Sequence, residues 1–382
     1  MSKLLIIGNG FDLNCGINTS YKGFFEFLKS KPPFLYVEHN MINSLNFTPF
    51  TCNNIWYLLF YSLSEIPNNW CDIEKVMTDF LVGTDENIYN VLLQKESIDE
   101  MNDYLLGSRR NNIYLTDFRD LKRFKKIREM YKGQDYQCLP SLLRFYVLME
   151  KHIQNCDLCL SGFDSRKLKD DLEVIECSFQ DYLRQLDYSD WYIESDEMIS
   201  KLLHPINKKN VSNYAILSFN FTELKLDKTI QYMCIHGIFE PDEKNRQKSK
   251  IVFGIDSSGI DSKHPFYSFT KTSRVFSLRI KENTGKDLIR KDIDTIIIYG
   301  HSLNEQDYSY YFSIFDYIDI ENKTHFILKY SIYEGCPEKY EDILKDSLIR
   351  LISTYAEQFN KPNKNLVHRL LLENRVRVER IT

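Results

Sequence analysis

The sequence predicts an α/β fold: a doubly wound, mostly parallel sheet carrying a large helical insertion or cap. Three observations lead there. Short apolar or β-branched runs near both ends of the chain read as buried strands. Helical spacing of apolar residues fills much of what lies between. The runs mostly close on glycine or polar residues, at the strand ends where open parallel sheets bind ligands.

The first run, Lys3–Gly10 (KLLIIGNG), is continuous and apolar, the pattern of a buried parallel strand entering a tight turn. Ser20–Leu28 (SYKGFFEFL) follows with aromatics at helical spacing. Residues 35–205 hold no comparable strand-plus-glycine signature. Their strongest pattern is helical, with Trp70, Ile73, Val76, Met77, Phe80 and Leu81 falling on one period. Much of 137–203 reads the same way, after a basic, tyrosine-containing connector at 119–135. Strand signals return at Asn213–Phe219 (NYAILSF), Ile230–His236 (IQYMCIH), Ile251–Gly254 (IVFG), Thr295–Gly300 (TIIIYG) and His325–Lys329 (HFILK). An amphipathic helix is expected across 338–359, with Tyr340, Ile343, Leu344, Leu348, Leu351, Ile352, Tyr355 and Phe359 on one side. These limits divide the chain into a first βα unit (1–34), a helical insertion or cap (35–205), and the rest of the α/β core with C-terminal helices (206–382).

Composition narrows the function classes. With 382 residues and 45.5 kDa, the chain is long enough for one large domain or two. Its 49 basic and 54 acidic residues leave a net charge of −5, which argues against broad, non-specific nucleic-acid binding. The basic stretches Arg123–Lys132 and Lys244–Lys250 then read as solvated surface. The longest near-apolar run, IWYLLFYSL at 55–63, is about half of a bilayer span, and no signal-peptide core follows the first lysine. A cytoplasmic protein without membrane contact is the expectation. Nine cysteines at irregular spacing make no disulfide framework. Cys156 and Cys159, with His152 before them, lack a fourth zinc ligand and read as one side of a helix, so no metal is expected.

Four motifs carry chemistry. The first runs from Gly8 through Asn9, Gly10, Phe11 and Asp12 to Gly16, Ile17, Thr19 and Tyr21. A strand followed by Gly-x-Gly turns tightly, approaches a pyrophosphate closely, and offers it free N–H groups at the next helix start. The third glycine of the dehydrogenase fingerprint is replaced by Leu13. The second is Ser218-Phe219-Asn220-Phe221-Thr222, and the third Ile235-His236-Gly237, each at a strand exit. Histidine titrates near neutrality and suits a general base; asparagine orients a water or ribose hydroxyl without changing charge. The fourth, Tyr299 to Asp307, enters a glycine turn at Gly300 and supplies Ser302 and Asp307.

Together these motifs resemble the AbiH family of bacterial phage abortive-infection proteins. That family is marked by a GNGFDL-x-x-G-x-x-T-x-Y run, a W-x-D-I/V-E helix, an F-N-Y/F-T strand end, an I-H-G and a late G-x-S-L-x-x-x-D. All five are present, the second as Trp70-Cys71-Asp72-Ile73-Glu74. Asp72 and Glu74 also suit a helix start on dipole grounds alone; the family pattern suggests a carboxylate reaching a pocket from the cap.

A more distant resemblance is to sirtuins and to the sirtuin-like NAD-consuming domains of phage defence. Gly8, Gly10, Gly16 and Ile17 share the spacing of the sirtuin opening motif; Ser218–Thr222, His236-Gly237 and Gly300–Ser302 follow in the same order. The resemblance implies a sirtuin-like variant of the Rossmann sheet, with Asn220 and His236 catalytic. It implies dinucleotide contacts from Gly8, Asn9, Gly10, Phe11, Asp12, Gly16, Thr19, Ser218, Gly300, Ser302 and Asp307, with NAD as substrate or ligand and no metal. Departures are clear. Phe219 and Thr222 replace a glutamine and an aspartate, the arginine of the opening motif is absent from Asn18–Tyr21, and only Cys336 follows His236, so the zinc ribbon is missing. Hydrolysis of the nicotinamide–ribose bond in antiviral defence is therefore expected rather than protein deacylation. The alternatives are a nucleotide-sensing or partner-binding module without turnover, and an RNA-directed toxin. Expected partners are a dinucleotide, a phage-derived trigger or partner protein, and a second copy of the chain.

Overall fold

The computed structural model describes residues 2–30, 56, 60, 73–81, 165–203, 214–226, 230–239, 250–264, 266–279, 288–332, 338–358 and 365–381. In chain order the elements are β1 (Ser2–Ile7), α1 (Asn9–Asn14), α2 (Tyr21–Ser30), α3 (Ile73–Leu81), α4 (Ser165–Leu183), α5 (Trp191–Leu202), β2 (Tyr214–Ser218) and β3 (Gln231–Cys234). They continue as α6 (Lys271–Arg279), β4 (Ile293–Tyr299), α7 (Tyr308–Ile318), β5 (His325–Tyr330), α8 (Tyr340–Gln358), α9 (Leu366–Leu372) and β6 (Val376–Arg380). Short 3-10 turns at Tyr267–Phe269 and Glu305–Asp307 precede α6 and α7. Among the described residues no helix is long and apolar enough to cross a membrane.

The six strands form one sheet in the order β3-β2-β1-β4-β5-β6, and every pairing is parallel. Because parallel strands need crossovers, both faces are covered and both sets of alternate side chains are apolar. Leu4 and Ile6 of β1 face a cluster with Ile296, Ile298, Phe326 and Leu328. α7 closes that cluster through Tyr311, Phe312 and Phe315, and α8 through Leu348, Leu351, Ile352 and Tyr355. Leu5 and Ile7 point the other way, into a layer with Phe11, Trp191, Ile199, Leu202, Ile216 and Tyr299. Each such side chain, fully withdrawn from water, stabilises the fold by roughly 1.5–3 kcal/mol.

The chain moves outward from β1 in one direction through β2 and β3, then returns to β4 on the other side of β1. Order reverses between β1 and β4, so the crevice at their carboxyl ends is the topological switch point. The Gly8–Asp12 and Gly300–Asp307 turns lie there.

The expected strand at Ile251–Gly254 is absent. Ile251 makes a single antiparallel bridge with Gly237, and Ile255 a single parallel bridge with Thr270. The Phe253 N–H is given instead to the Glu176 carboxylate at 2.7 Å, so no ladder continues there. On the expected apolar stripe of α8, Leu344, Leu348, Leu351, Ile352 and Tyr355 are buried and Tyr340 is half-buried, but Ile343 is 47% exposed. Within 35–205 the described elements are α3, α4 and α5, all helical; Ile73, Met77 and Leu81 of α3 are buried. Trp70, Asp72, the 119–135 connector, His152, Cys156, Cys159, Cys336, Phe359 and most of the two basic stretches lie outside the described residues.

α2 and α4 pack through aromatics, Phe24 meeting Phe179 edge-on at 5.0 Å. Phe179 also contacts Phe221 at 5.3 Å and Phe253 at 5.4 Å, which joins α4 to the exits of β2 and β3.

Candidate active site

Backbone contact between two glycine turns sets the floor of the site. Gly8 N–H donates to the Tyr299 carbonyl at 3.1 Å, and Gly10 N–H to the Gly300 carbonyl at 2.8 Å. A Cβ on Gly8 would stand 2.7 Å from the Gly300 oxygen, and one on Gly300, at φ +67°, only 2.4 Å from the Phe11 nitrogen. These glycines are demanded by the mutual approach of the two turns. The sequence predicts free N–H groups here for an anion. Three of them are already bonded to protein carbonyls, those of Gly8 and Gly10 because the turn after β4 closes in, and that of Phe11 within its own turn, to Gly8.

Asp12, on the first turn after β1, is fully buried. Thr222 Oγ1 donates to it, lying 3.0 and 2.9 Å from its two oxygens. Thr19 Oγ1 lies 3.0 Å from Asp12 Oδ2 and 2.6 Å from Asn9 Oδ1. Burial pushes the Asp12 carboxyl up to about 7, against the pull of the Thr222 and Thr19 hydrogen bonds. Asn220 is 4% exposed and close enough to steady this carboxylate, yet neither its Oδ1 nor its Nδ2 completes a hydrogen bond with protein. Its backbone is fixed, since its N–H donates to Ser218 Oγ at 3.1 Å. A buried amide with both polar atoms unanswered calls for a ligand or water.

Asp307 is the second acidic centre. Its Oδ1 accepts from Lys271 Nζ at 2.5 Å and lies 3.8 Å from His236 Nε2. Its Oδ2 lies 3.3 Å from His301 Nε2. The Leu303 N–H donates to His301 Nδ1 at 2.9 Å, so the ring proton sits on Nε2, facing Asp307. That contact holds Leu303 at φ +56°, the left-handed region that a leucine enters only under constraint. Burial alone would raise the Asp307 carboxyl, but Lys271 and His301 hold it well below the usual carboxylate range. Burial likewise opposes the Lys271 ammonium, and the Asp307 and Glu74 carboxylates drive it above its usual range. Phe219 stands between the two imidazoles, 4.2 Å from the His301 ring and 5.7 Å from that of His236.

The sequence-expected residues therefore separate into groups. Gly8, Asn9, Gly10, Asp12, Thr19, Ser218, Asn220, His236, Gly300 and Asp307 converge on the carboxyl ends of β1 to β4. Phe11 is buried in the layer under the sheet, edge-on to Tyr299. Gly16 turns the chain at φ +85° with nothing within 4 Å of a Cβ, and Ser302 is exposed.

Residues 4–329 match the family described as bacteriophage abortive infection AbiH. The chain belongs to the AbiH family. No curated protein and no solved structure matches it. The AbiH match spans all four strand-end motifs and the segment carrying Glu74.

Two residues of this AbiH site, Lys271 and His301, are not among those the sequence predicts. His301 lies inside the fourth motif, next to Gly300. Lys271 carried no local signal. Glu74, whose role the sequence does not fix, accepts from Lys271 Nζ at 2.6 Å. A further buried pair joins α4 to α6, Arg274 Nη2 donating to both Glu176 oxygens at 2.7 Å; burial pushes the Glu176 carboxyl up to about 7 even so. Among the described residues no set of three or more His, Cys, Asp or Glu side chains is arranged to hold a metal ion.

Proposed function

We propose that this AbiH protein acts in phage defence by hydrolysing NAD at the nicotinamide–ribose bond. The observation that carries the reading is the buried Asn220 amide just past the end of β2, within reach of Asp12 but completing no hydrogen bond with protein. The neighbouring strand end supplies His236, a base of the right type with Asp307 behind it.

In this reading Asn220 orients the attacking water or the ribose. As the bond from ribose carbon to the nicotinamide nitrogen breaks, its electron pair leaves with nicotinamide, and the water oxygen forms the new bond to that carbon. His236 accepts the water proton. The developing oxocarbenium ion is favoured in a site that holds the sugar and excludes stray nucleophiles. Asn9 offers a polar side chain to the ribose, with Thr19 and the buried Asp12 steadying it from behind; Gly8, Gly10 and Gly300 keep the backbone low enough for a pyrophosphate to lie over it.

The test is total NAD in phage-challenged cells carrying wild-type protein, His236→Ala or Asn220→Ala. NAD should collapse with wild type alone, general-base removal slowing the reaction by about 100- to 10,000-fold. Protection by all three proteins with steady NAD would overturn the reading.

One observation favours a nucleotide-sensing module without turnover. Thr222 is committed to Asp12 and Phe219 to the histidine rings, so two positions beside Asn220 are taken up internally. Stoichiometric NAD binding by purified protein, with no nicotinamide released in infected cells, is its signature.

A further inference from the structure

We propose that Lys271 is a positioning residue, aiming His236 through Asp307, and that Glu74 makes this geometry depend on the docking of α3. The inference rests on the reading of His236 as the base, but its test does not need turnover.

The Lys271 ammonium has three protons and three acceptors: Asp307 Oδ1 at 2.5 Å, Glu74 Oε2 at 2.6 Å and the Gln306 carbonyl at 2.9 Å. Its side chain is 1% exposed, so these contacts act in a low dielectric and fix its position. Its backbone is fixed as well. Lys271 N–H donates to the Ile255 carbonyl at 2.8 Å, and at the other end of that segment Val252 N–H donates to the His236 carbonyl at 2.9 Å. Lys271 and His236 are thus held on a common strip of backbone, while Asp307 Oδ1 accepts from Lys271 and stands 3.8 Å from His236 Nε2, within charge contact but beyond a hydrogen bond. The groups facing that carboxylate are Lys271, His236 and His301, with Glu74 behind the ammonium.

Glu74 and Thr78 tie α3 to this arrangement, Thr78 Oγ1 donating to Gln306 Oε1 at 2.8 Å. With Glu74 in place the ammonium is shared between two carboxylates, and Asp307 keeps enough negative charge to attract the His236 ring across 3.8 Å. Withdrawal of Glu74 gives the ammonium wholly to Asp307 and weakens its hold on His236.

Ring-proton NMR titration of the full chain tests this, with His236→Ala and His301→Gln assigning the two signals. Lys271→Met should raise the His236 midpoint by about one pH unit or more, because the Asp307 charge is then unanswered. Lys271→Arg should restore it to within about half a unit, and Glu74→Gln should lower it by a few tenths. If Lys271→Met does not fold, Glu74→Gln carries the test. A His236 midpoint unmoved in every folded variant overturns the proposal. Where NAD cleavage is measurable, Lys271→Met should lower kcat by about 100-fold with KM within a few-fold, and Lys271→Arg should recover part of it. Absence of NAD cleavage in the wild type would sink the functional reading alone.

Discussion

Gly10 lies on Gly300, backbone against backbone. The Gly10 N–H reaches the Gly300 carbonyl at 2.8 Å, and a Cβ on Gly10 would stand 2.8 Å from the Gly300 Cα. Alanine at Gly300 meets both a left-handed φ and the Phe11 nitrogen, so Gly300→Ala should lose about 2 kcal/mol or more of folding stability. Gly16→Ala is the control. It also sits at positive φ, but in open space, and should lose only about 1 kcal/mol. Urea midpoints of the two variants give the comparison; equal losses would mean that the contact contributes nothing beyond backbone strain.

The buried Asp12 carboxyl makes stability fall as pH rises. Its proton is held more tightly in the folded chain, at about 7 against 3.8. The stabilisation is complete below the unfolded value and lost as pH passes through the folded one. Between pH 5 and 8 the wild type should lose on the order of 2 kcal/mol from this group. Asp12→Asn should remove that share and be the more stable protein at pH 8. Glu176, also pushed up to about 7, leaves the variant with a residual slope. Asp307 is depressed, so its contribution is lost only in acid and stays out of this window. Urea melts at the two pH values check the sign.

Asn220 and Ser218 should behave oppositely although they are two residues apart. Asn220→Ala removes an amide that the protein leaves unanswered, so stability should stay within about 1 kcal/mol of wild type or rise. Ser218→Ala strips the acceptor from the buried Asn220 N–H and should lose about 1–3 kcal/mol. Thermal melts decide it; a clear loss in Asn220→Ala would mean that its amide is bonded within the fold.

Most of the sheet was legible because parallel core strands are written as unbroken apolar runs, as in Lys3–Ile7 and Ile296–Tyr299. β6 was not, since an edge strand reading Val-Arg-Val-Glu-Arg has a half-buried, alternating face. The false strand at Ile251–Gly254 shows the converse. Its residues are buried and apolar, but its hydrogen bonds go to a side chain and to isolated bridges. The strand-end motifs gave Asp12, Asn220, His236 and Asp307 by position. Lys271 was invisible for a different reason. It opens a helix of ordinary composition, and its meaning comes from Glu74 and Asp307, which lie 197 and 36 residues away in sequence.

The central position of β1 has a temporal side. Lys3 must wait for Tyr214, and then for Thr295, before its two neighbours exist. Pairing over such separations is slow and late. During synthesis the first glycine turn leaves the ribosome long before the carbonyl that closes it, and Asp12 precedes Thr222 by 210 residues. A chain cut short before β4 holds neither the crevice nor the carboxylate between the histidines. A cell that makes this protein in advance of infection therefore carries no assembled site on its unfinished copies.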